Sequence, residues 1–424
     1  MRVGIVGAGI TGLTLTHALA ERGVDSVTYE ASDEAGGVID TRVVDGHVLE
    51  VGPQRLRLTD QLEAMVDSLD LRDDLVEADD SLPLYVYADG KLRVVPRSLS
   101  AFLRTDLFSW SAKLRVFAEP LTDDAKPDET VAELFTRKFG REAYKNLVEP
   151  ILGGTFGSNP AEMPVKHSLE GVMKLEQRRG NLLVPAAKRL LGPGESPPPA
   201  SFDDGLQALP QAIADAHDDR IRLEAPVDAI REAGEEVVVE TADGEVEHFD
   251  EVVVTTPAGE TANLLEETAP ESADALRDLT YNPLVLVHLV SDVDASGFGY
   301  QVRRDEPLRT LGVSWNASLF DRDGVYTAFF GGMDDAEILE KDETEIGQIA
   351  VEEFERVMDA DAEVLHVEKM PSAFPAYDTS WSALDDVDLP EGIHLATNYT
   401  ARMGIPSRVR EANSLAKQFA EERP

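Results

Sequence analysis

The 424-residue sequence has no cysteine, which excludes disulfides, thiolate metal sites, iron–sulfur clusters and any cysteinyl link to a cofactor. Histidine is sparse as well. The eight residues are scattered singly, and none forms a pair at helical or short-loop ligand spacing, so no metal site is expected. Lysine is scarce beside acid: 11 Lys and 28 Arg face 81 Asp and Glu, for a formal net charge of -42. Such a field repels nucleic acid and anionic lipid surfaces. Its composition fits a surface adapted to high salt, where screening removes the self-repulsion. No apolar run is long enough to cross a bilayer, and the N-terminus lacks a charged-then-apolar leader. The expectation is a protein that begins at Met1 and resides in the cytoplasm. The length exceeds what one compact core holds, so two or three domains are expected.

What is there starts at once. Arg2-Val3-Gly4-Ile5-Val6 reads as a buried strand and runs into Gly7-Ala8-Gly9-Ile10-Thr11-Gly12,. Leu13, Leu15, Ala18, Leu19 and Ala20 give the next helix an apolar stripe, Gly23 ends it, and Ser26 to Tyr29 forms a second strand closing on Glu30,. This βαβ unit carries a dinucleotide fingerprint: Gly7 for the tight turn, Gly9 for backbone approach to a pyrophosphate, and Gly12 for close helix–strand packing. The helix N-terminus offers free N–H groups and a favourable dipole to the pyrophosphate. Glu30 stands 18 residues beyond Gly12, near the roughly 20 at which a carboxylate accepts hydrogen bonds from ribose hydroxyls. An acid there also disfavours a 2′-phosphate.

Further motifs give the chain a resemblance. A Gly36-Gly37-Val38 turn follows the ribose acid and Ala31, and Glu50-Val51-Gly52-Pro53-Gln54-Arg55-Leu56-Arg57 comes some dozen residues later. Leu84 to Leu92 with Val95-Pro96, Asp128-Glu129-Thr130-Val131 and Leu147-Val148-Glu149-Pro150-Ile151-Leu152-Gly153-Gly154 then follow in order. With these motifs the chain resembles the flavin-containing amine oxidase superfamily, and within it the protoporphyrinogen oxidases, over nearly its whole length. The resemblance implies an α/β fold, with a Rossmann-like FAD/NAD(P)-binding domain, a mixed-sheet substrate domain and an inserted helical domain. The FAD-binding domain is expected in three parts (1–80, 192–257 and 371–424), the substrate domain in two (81–96 and 258–370), and the helical insertion at 97–191.

Read from the residues, 97–191 is mostly helical, with Thr130-x-x-Glu133 as a capping box,. Phe102, Leu103, Leu107, Phe108, Trp110 and Leu114 could form an interfacial patch of the kind the family presents to a membrane, although buried helix packing is the simpler reading. Gly192 to Pro199 reads as a linker or exposed loop. Asp204-Gly205-Leu206 opens a helix through Ala216, and strands follow at 221–223, 226–230, 237–239 and 251–257,. Two helices are expected over 258–282, antiparallel strands over 284–332, and a core-facing helix over 343–358. Gly392 to Tyr399, Gly404-Ile405-Pro406 and a helix over about 407–421 return the chain to the cofactor.

By resemblance the FAD contacts are Gly7, Gly9, Ile10, Thr11, Gly12, Glu30, Ala31, Gly36, Gly37, Val38, Gly52, Pro53, Gln54, Val227, Thr256, Asn398, Ile405, Pro406 and Val409. The family's motifs are altered at Val38 (usually Arg), Thr397 and Arg402 (usually Gly) and Glu411-Ala412 (usually Ser-Gly), which bears on how tightly FAD binds. Arg57 matches a propionate-binding arginine, and Gln301 and Phe329 fall at the substrate walls. Arg55 is expected to turn the other way, to flavin phosphate or solvent. The activity implied is FAD-dependent oxidation of a porphyrinogen, protoporphyrinogen IX or coproporphyrinogen III, with hydride passing to the flavin and no catalytic base assigned. The partners implied are the porphyrinogen and oxygen or another electron acceptor. Nucleic acid is excluded, membrane contact is at most peripheral, and a homodimer is compatible with the sequence. Another amine oxidase or a carotenoid desaturase-like oxidoreductase, or a flavin-free binding protein of the same fold, remain the alternatives.

Overall fold

A computed structural model describes residues 1–123, 126, 128–185, 197–400 and 403–422. β1 (Arg2–Val6), α1 (Ile10–Glu21) and β2 (Asp25–Tyr29) form the opening βαβ unit. They belong to a five-stranded parallel sheet ordered Ile221–Arg222, β2, β1, Glu251–Val254, Ile393–Leu395. Four distant stretches of chain thus meet in one sheet. Its central strands, β1 and Glu251–Val254, are mostly apolar and buried along their length, as a sheet covered on both faces requires,. Val3, Ile5 and Val253 pack against Leu15, Leu19, Ala412, Ala416 and Phe419 on one side, so α1 and the C-terminal helix Ile405–Glu421 share that core. Val6, Val252 and Val254 face Ile230, Val239 and Phe249 of the small antiparallel sheet 227–249 on the other.

The second large sheet has seven strands, in the order Glu363–Pro375, Tyr281–Val290, Val325–Gly331, Gly312–Ser314, Gly299–Val302, Leu84–Ala88, Lys91–Val94. One face packs Val285, Val287, Tyr300, Val313, Tyr326 and Phe330 on Ile346, Ala350 and Phe354 of the amphipathic helix Glu343–Met358. Strand Glu363–Pro375 runs through the boundary expected at residue 370, because its pairing with Tyr281–Val290 continues to Pro375. The expected helix opening at Asp204 begins at Ala208, after a turn closed by Gly205 N–H to Phe202 O.

The helical segment 99–179 lies against strands Leu84–Ala88 and Gly299–Val302 of the seven-stranded sheet. Thr130 and Glu133 form the reciprocal capping box, and Val131–Phe139 follows it. Its interior is ionic. Arg137 pairs with Glu129 at 2.6 Å and Glu176 at 2.8 Å, and Lys138, fully buried, reaches Glu176 at 2.7 Å and Glu119 at 3.4 Å. Glu119 also accepts the backbone N–H groups of Leu182 and Leu183. The proposed apolar stripe divides: Leu107 and Phe108 are core, whereas Trp110 and Leu114 are exposed. Only Pro197 to Pro199 of the linker stretch, and not Arg402, lie within the described residues; Pro199 begins a short strand. Among the described residues no helix is long and apolar enough to cross a membrane.

Candidate active site

Glycine spacing at the end of β1 sets the first wall. A Cβ on Gly12 would lie 2.0 Å from Gly7 O, so only glycine lets α1 rest on the loop. A Cβ on Gly9 would meet nothing within 4 Å. One glycine is therefore required by the protein's own packing, and the other keeps an outward side free, as a backbone approached by a phosphate needs. Helix α1 has no side-chain cap and no acid in its first turn, so Ile10, Thr11 and Gly12 present an unneutralised helix N-terminus.

Two more segments converge on this loop. Gly36 bridges to Gly9 and donates its N–H to Ala8 O, and a Cβ on Gly37 would lie 3.2 Å from Gly9 Cα. A Cβ on Gly52 would stand 1.8 Å from Val38 O, so the Glu-x-Gly-Pro turn, with Pro53, lies directly on the Gly-Gly turn. Val38 itself is exposed. Glu30 closes β2; its carboxylate accepts from Ala8 N at 2.7 Å and from Ser32 N and Oγ. Beyond Ala31, the Ser32 and Glu30 carbonyls accept from Glu224 N and Ala225 N, which brings the chain leading to Val227 alongside. Thr255 Oγ1 donates to Val6 O and Gly7 O, and Thr256 bonds Thr261. Glu50 of the same motif is structural: it accepts from Arg322, Thr41, Ser201 and Leu206 N, and burial pushes its pKa up.

The C-terminal return docks beside α1. Ile405 and Val409 share a core with Ile10 and Leu13, and Gly404 caps a first turn that holds Pro406 and no acid. Asn398 Oδ1 lies 3.5 Å from Tyr281 OH. Sequence reasoning placed Glu411-Ala412 at the family's Ser-Gly but missed the partner of Glu411. Arg408 is buried, and among the described residues its three guanidinium nitrogens have no hydrogen-bond partner, though Nη1 lies 2.8 Å from Glu411 Oε2. Burial lowers the Arg408 pKa and raises that of Glu411, which also accepts from Thr400 Oγ1.

The seven-stranded sheet turns its other face to this cradle. In register across it lie Val86, Gln301, Gly312, Phe329 and Leu286, and one row away Gly299, Ser314, Thr327 and His288. Partners in register share a face. Gln301 and Phe329 therefore flank the bare Gly312. The Gln301 Oε1 atom is buried with no hydrogen-bond partner among the described residues, over Gly154 and Gly312. Asn316 joins sheet to cradle, donating to Gln54 Oε1 at 2.9 Å and Thr327 Oγ1 at 3.0 Å, while Gln54 donates to Glu50 O and Gly52 O. His288 is held neutral, its pKa pulled down to about 3 by burial.

Arg57 donates to Asp80 at 2.6 Å and to Pro197 O at 2.9 Å. Arg55 does not turn away from it: both guanidiniums lie beside the Phe298 ring, at 5.6 and 5.9 Å from its centroid. The reason is the period of an extended chain, in which residues two apart share a face.

A family model described as flavin containing amine oxidoreductase matches residues 10–417. The chain belongs to this family. As a flavin-containing amine oxidoreductase it is an enzyme with FAD as its cofactor, and the open side of Gly9, the uncapped α1 and the crossing of Gly37 and Gly52 fit a dinucleotide. The oxidoreductase is 29% identical to protoporphyrinogen oxidase 1, chloroplastic, of Arabidopsis thaliana, over 97% of this chain and 86% of that one. It is 24% identical to coproporphyrinogen III oxidase of Staphylococcus aureus, over 88% of each. A solved structure from Exiguobacterium sp. 255-15 shares the fold, with a TM-score of 0.80 at 23% identity over 100% of this chain and 99% of that one.

Proposed function

We propose that this flavoenzyme oxidises a porphyrinogen, protoporphyrinogen IX or coproporphyrinogen III, to the porphyrin, with oxygen as the acceptor that regenerates the cofactor. The observation that carries the reading is the sheet face itself. A row interrupted by Gly312, with Gln301 and Phe329 at its sides, is joined to the dinucleotide cradle by the Asn316–Gln54 link and bordered by arginines. That combination suits a broad macrocycle with carboxylate arms. Full-length similarity to relatives named for both porphyrinogens supports the same substrate class.

Bound FAD supplies the hydride acceptor. The chain's own task is to hold the macrocycle, to orient a saturated bridge carbon in each round, and to seat carboxylates on guanidinium. No histidine is assigned as base, and His288 stays neutral at working pH. Porphyrinogen and porphyrin differ by six electrons, so over three rounds three hydrides and three protons leave the macrocycle, one proton reaching solvent with each hydride. The test is turnover of both porphyrinogens by FAD-loaded protein under one salt condition. Oxidation of at least one is expected, and oxidation of neither would overturn the proposal.

A further inference from the structure

Three guanidiniums surround the buried Phe298 ring: Arg55, Arg57 and Arg97, at 5.6, 5.9 and 5.3 Å from its centroid. They differ in what satisfies them. Arg57 is neutralised by Asp80. Arg97 is bound by the carbonyls of Asp80 and Leu82. Among the described residues Arg55 has a single side-chain hydrogen bond, Nη1 to Ser314 Oγ at 3.2 Å, and no carboxylate pairs with it.

In a chain with 81 acids, a half-buried guanidinium with no carboxylate partner among the described residues is a poorly compensated charge, because the protein around it strips part of its water,. Burial, with Arg57 nearby, brings its pKa down to about 10, so it stays charged in the working range,. Its one partner, Ser314, sits on the candidate substrate face, in the row adjoining Gln301, Gly312 and Phe329. The same Ser314 hydroxyl lies 3.0 Å from Asn316 Oδ1, within the link to Gln54 and the cradle.

We infer that Arg55, rather than Arg57, is the guanidinium that receives a carboxylate arm of the substrate. Arg57 is held by Asp80 and serves to keep the segment extended beside it. The inference rests on the porphyrinogen reading for the identity of the anion. The incoming carboxylate supplies the missing counter-charge, and the planar fork of Arg55 fits it with paired N–H donors.

The experiment measures binding of coproporphyrin III and of its tetramethyl ester to FAD-loaded protein in high salt, by quenching of porphyrin fluorescence, for wild type, Arg55→Gln, Arg55→Lys and Arg57→Gln. Wild type is expected to prefer the free acid. Arg55→Gln should weaken acid binding by about 10- to 100-fold while leaving ester binding and FAD content unchanged. Arg55→Lys should recover part of the loss. Arg57→Gln should keep most of the acid preference. Equal losses for acid and ester in Arg55→Gln would make its role structural and overturn the inference. So would loss of the acid preference in Arg57→Gln with retention in Arg55→Gln. A wild type that binds both porphyrins but does not distinguish acid from ester would overturn the anchor alone. A wild type that binds neither would remove the porphyrinogen reading, and the anchor with it.

Discussion

Gly9 and Gly12 lie three residues apart in one loop, and opposite phenotypes are expected of them. In Gly12→Ala the new methyl would stand 2.0 Å from Gly7 O, a backbone atom pinned between β1 and α1. Relief requires moving the helix. Overpacking of this kind costs about 1–3 kcal/mol, here toward the upper end because no flexible side chain can give way. The loss should appear in the apoprotein. In Gly9→Val the side chain meets no protein atom within 4 Å of its Cβ, and the backbone is already extended at φ -71, so apoprotein stability should change by less than about 1 kcal/mol. FAD should suffer instead. Displacing the pyrophosphate from two backbone N–H donors forfeits charge-assisted bonds of about 1.5–3 kcal/mol each, so the Kd should rise at least about 100-fold. The assay pairs thermal unfolding of both apoproteins in high salt with fluorimetric FAD titration. Holoprotein Tm should rise with FAD in wild type and stay flat in Gly9→Val. Wild-type FAD affinity in Gly9→Val, or an apo Gly12→Ala as stable as wild type, would refute the reasoning.

Arg408→Met should destabilise the protein by about 3–5 kcal/mol in chemical denaturation, because Glu411 would be left buried without its cation, while the double variant Arg408→Met/Glu411→Gln should recover most of the loss,; equal stability of single and double variants would contradict the pairing. For Glu176, burial alone would raise the pKa, but Arg137 and Lys138 outweigh it and hold it below the usual carboxylate range. A depressed folded pKa contributes stability that is present above the unfolded value and lost as pH falls through the folded one. The acid limb of the stability profile should therefore be shallower in Glu176→Gln than in wild type, and an unchanged limb would count against the buried network. The net charge of -42 predicts that Tm rises as KCl is increased from dilute buffer toward molar levels, and a Tm that falls with salt would remove self-repulsion as the explanation,.

The cradle was legible because each of its constraints is local. Gly7, Gly9 and Gly12, the flanking strands and Glu30 are fixed by spacing within a few turns of chain, and the packing clash at Gly12 is what that spacing encodes. The strand and helix periods over 281–358 were readable for the same reason. Charge pairing was not. Asp80 lies 23 residues from Arg57, and nothing in either segment signals that the pair forms while Arg55, among the described residues, has no carboxylate partner. The Arg55 orientation was misread although the two-residue period was available, and the shared Phe298 ring corrects it. The Arg408–Glu411 pair could have been noticed as two charges one helical turn apart on a helix expected to pack, but its burial is set by the tertiary fold and not by the helix alone. Strand Glu363–Pro375 overran its expected domain edge because pairing, not composition, decides where a strand stops.

The most direct test of the central proposal is a single anaerobic mixing. FAD-loaded protein in high salt is combined with excess protoporphyrinogen IX or coproporphyrinogen III, and the flavin and porphyrin absorbances are followed together. The account predicts that the yellow flavin band bleaches as porphyrin absorption grows, and that admitting oxygen restores the flavin. A flavin that stays oxidised with both porphyrinogens, yet is readily reduced by dithionite, would contradict it.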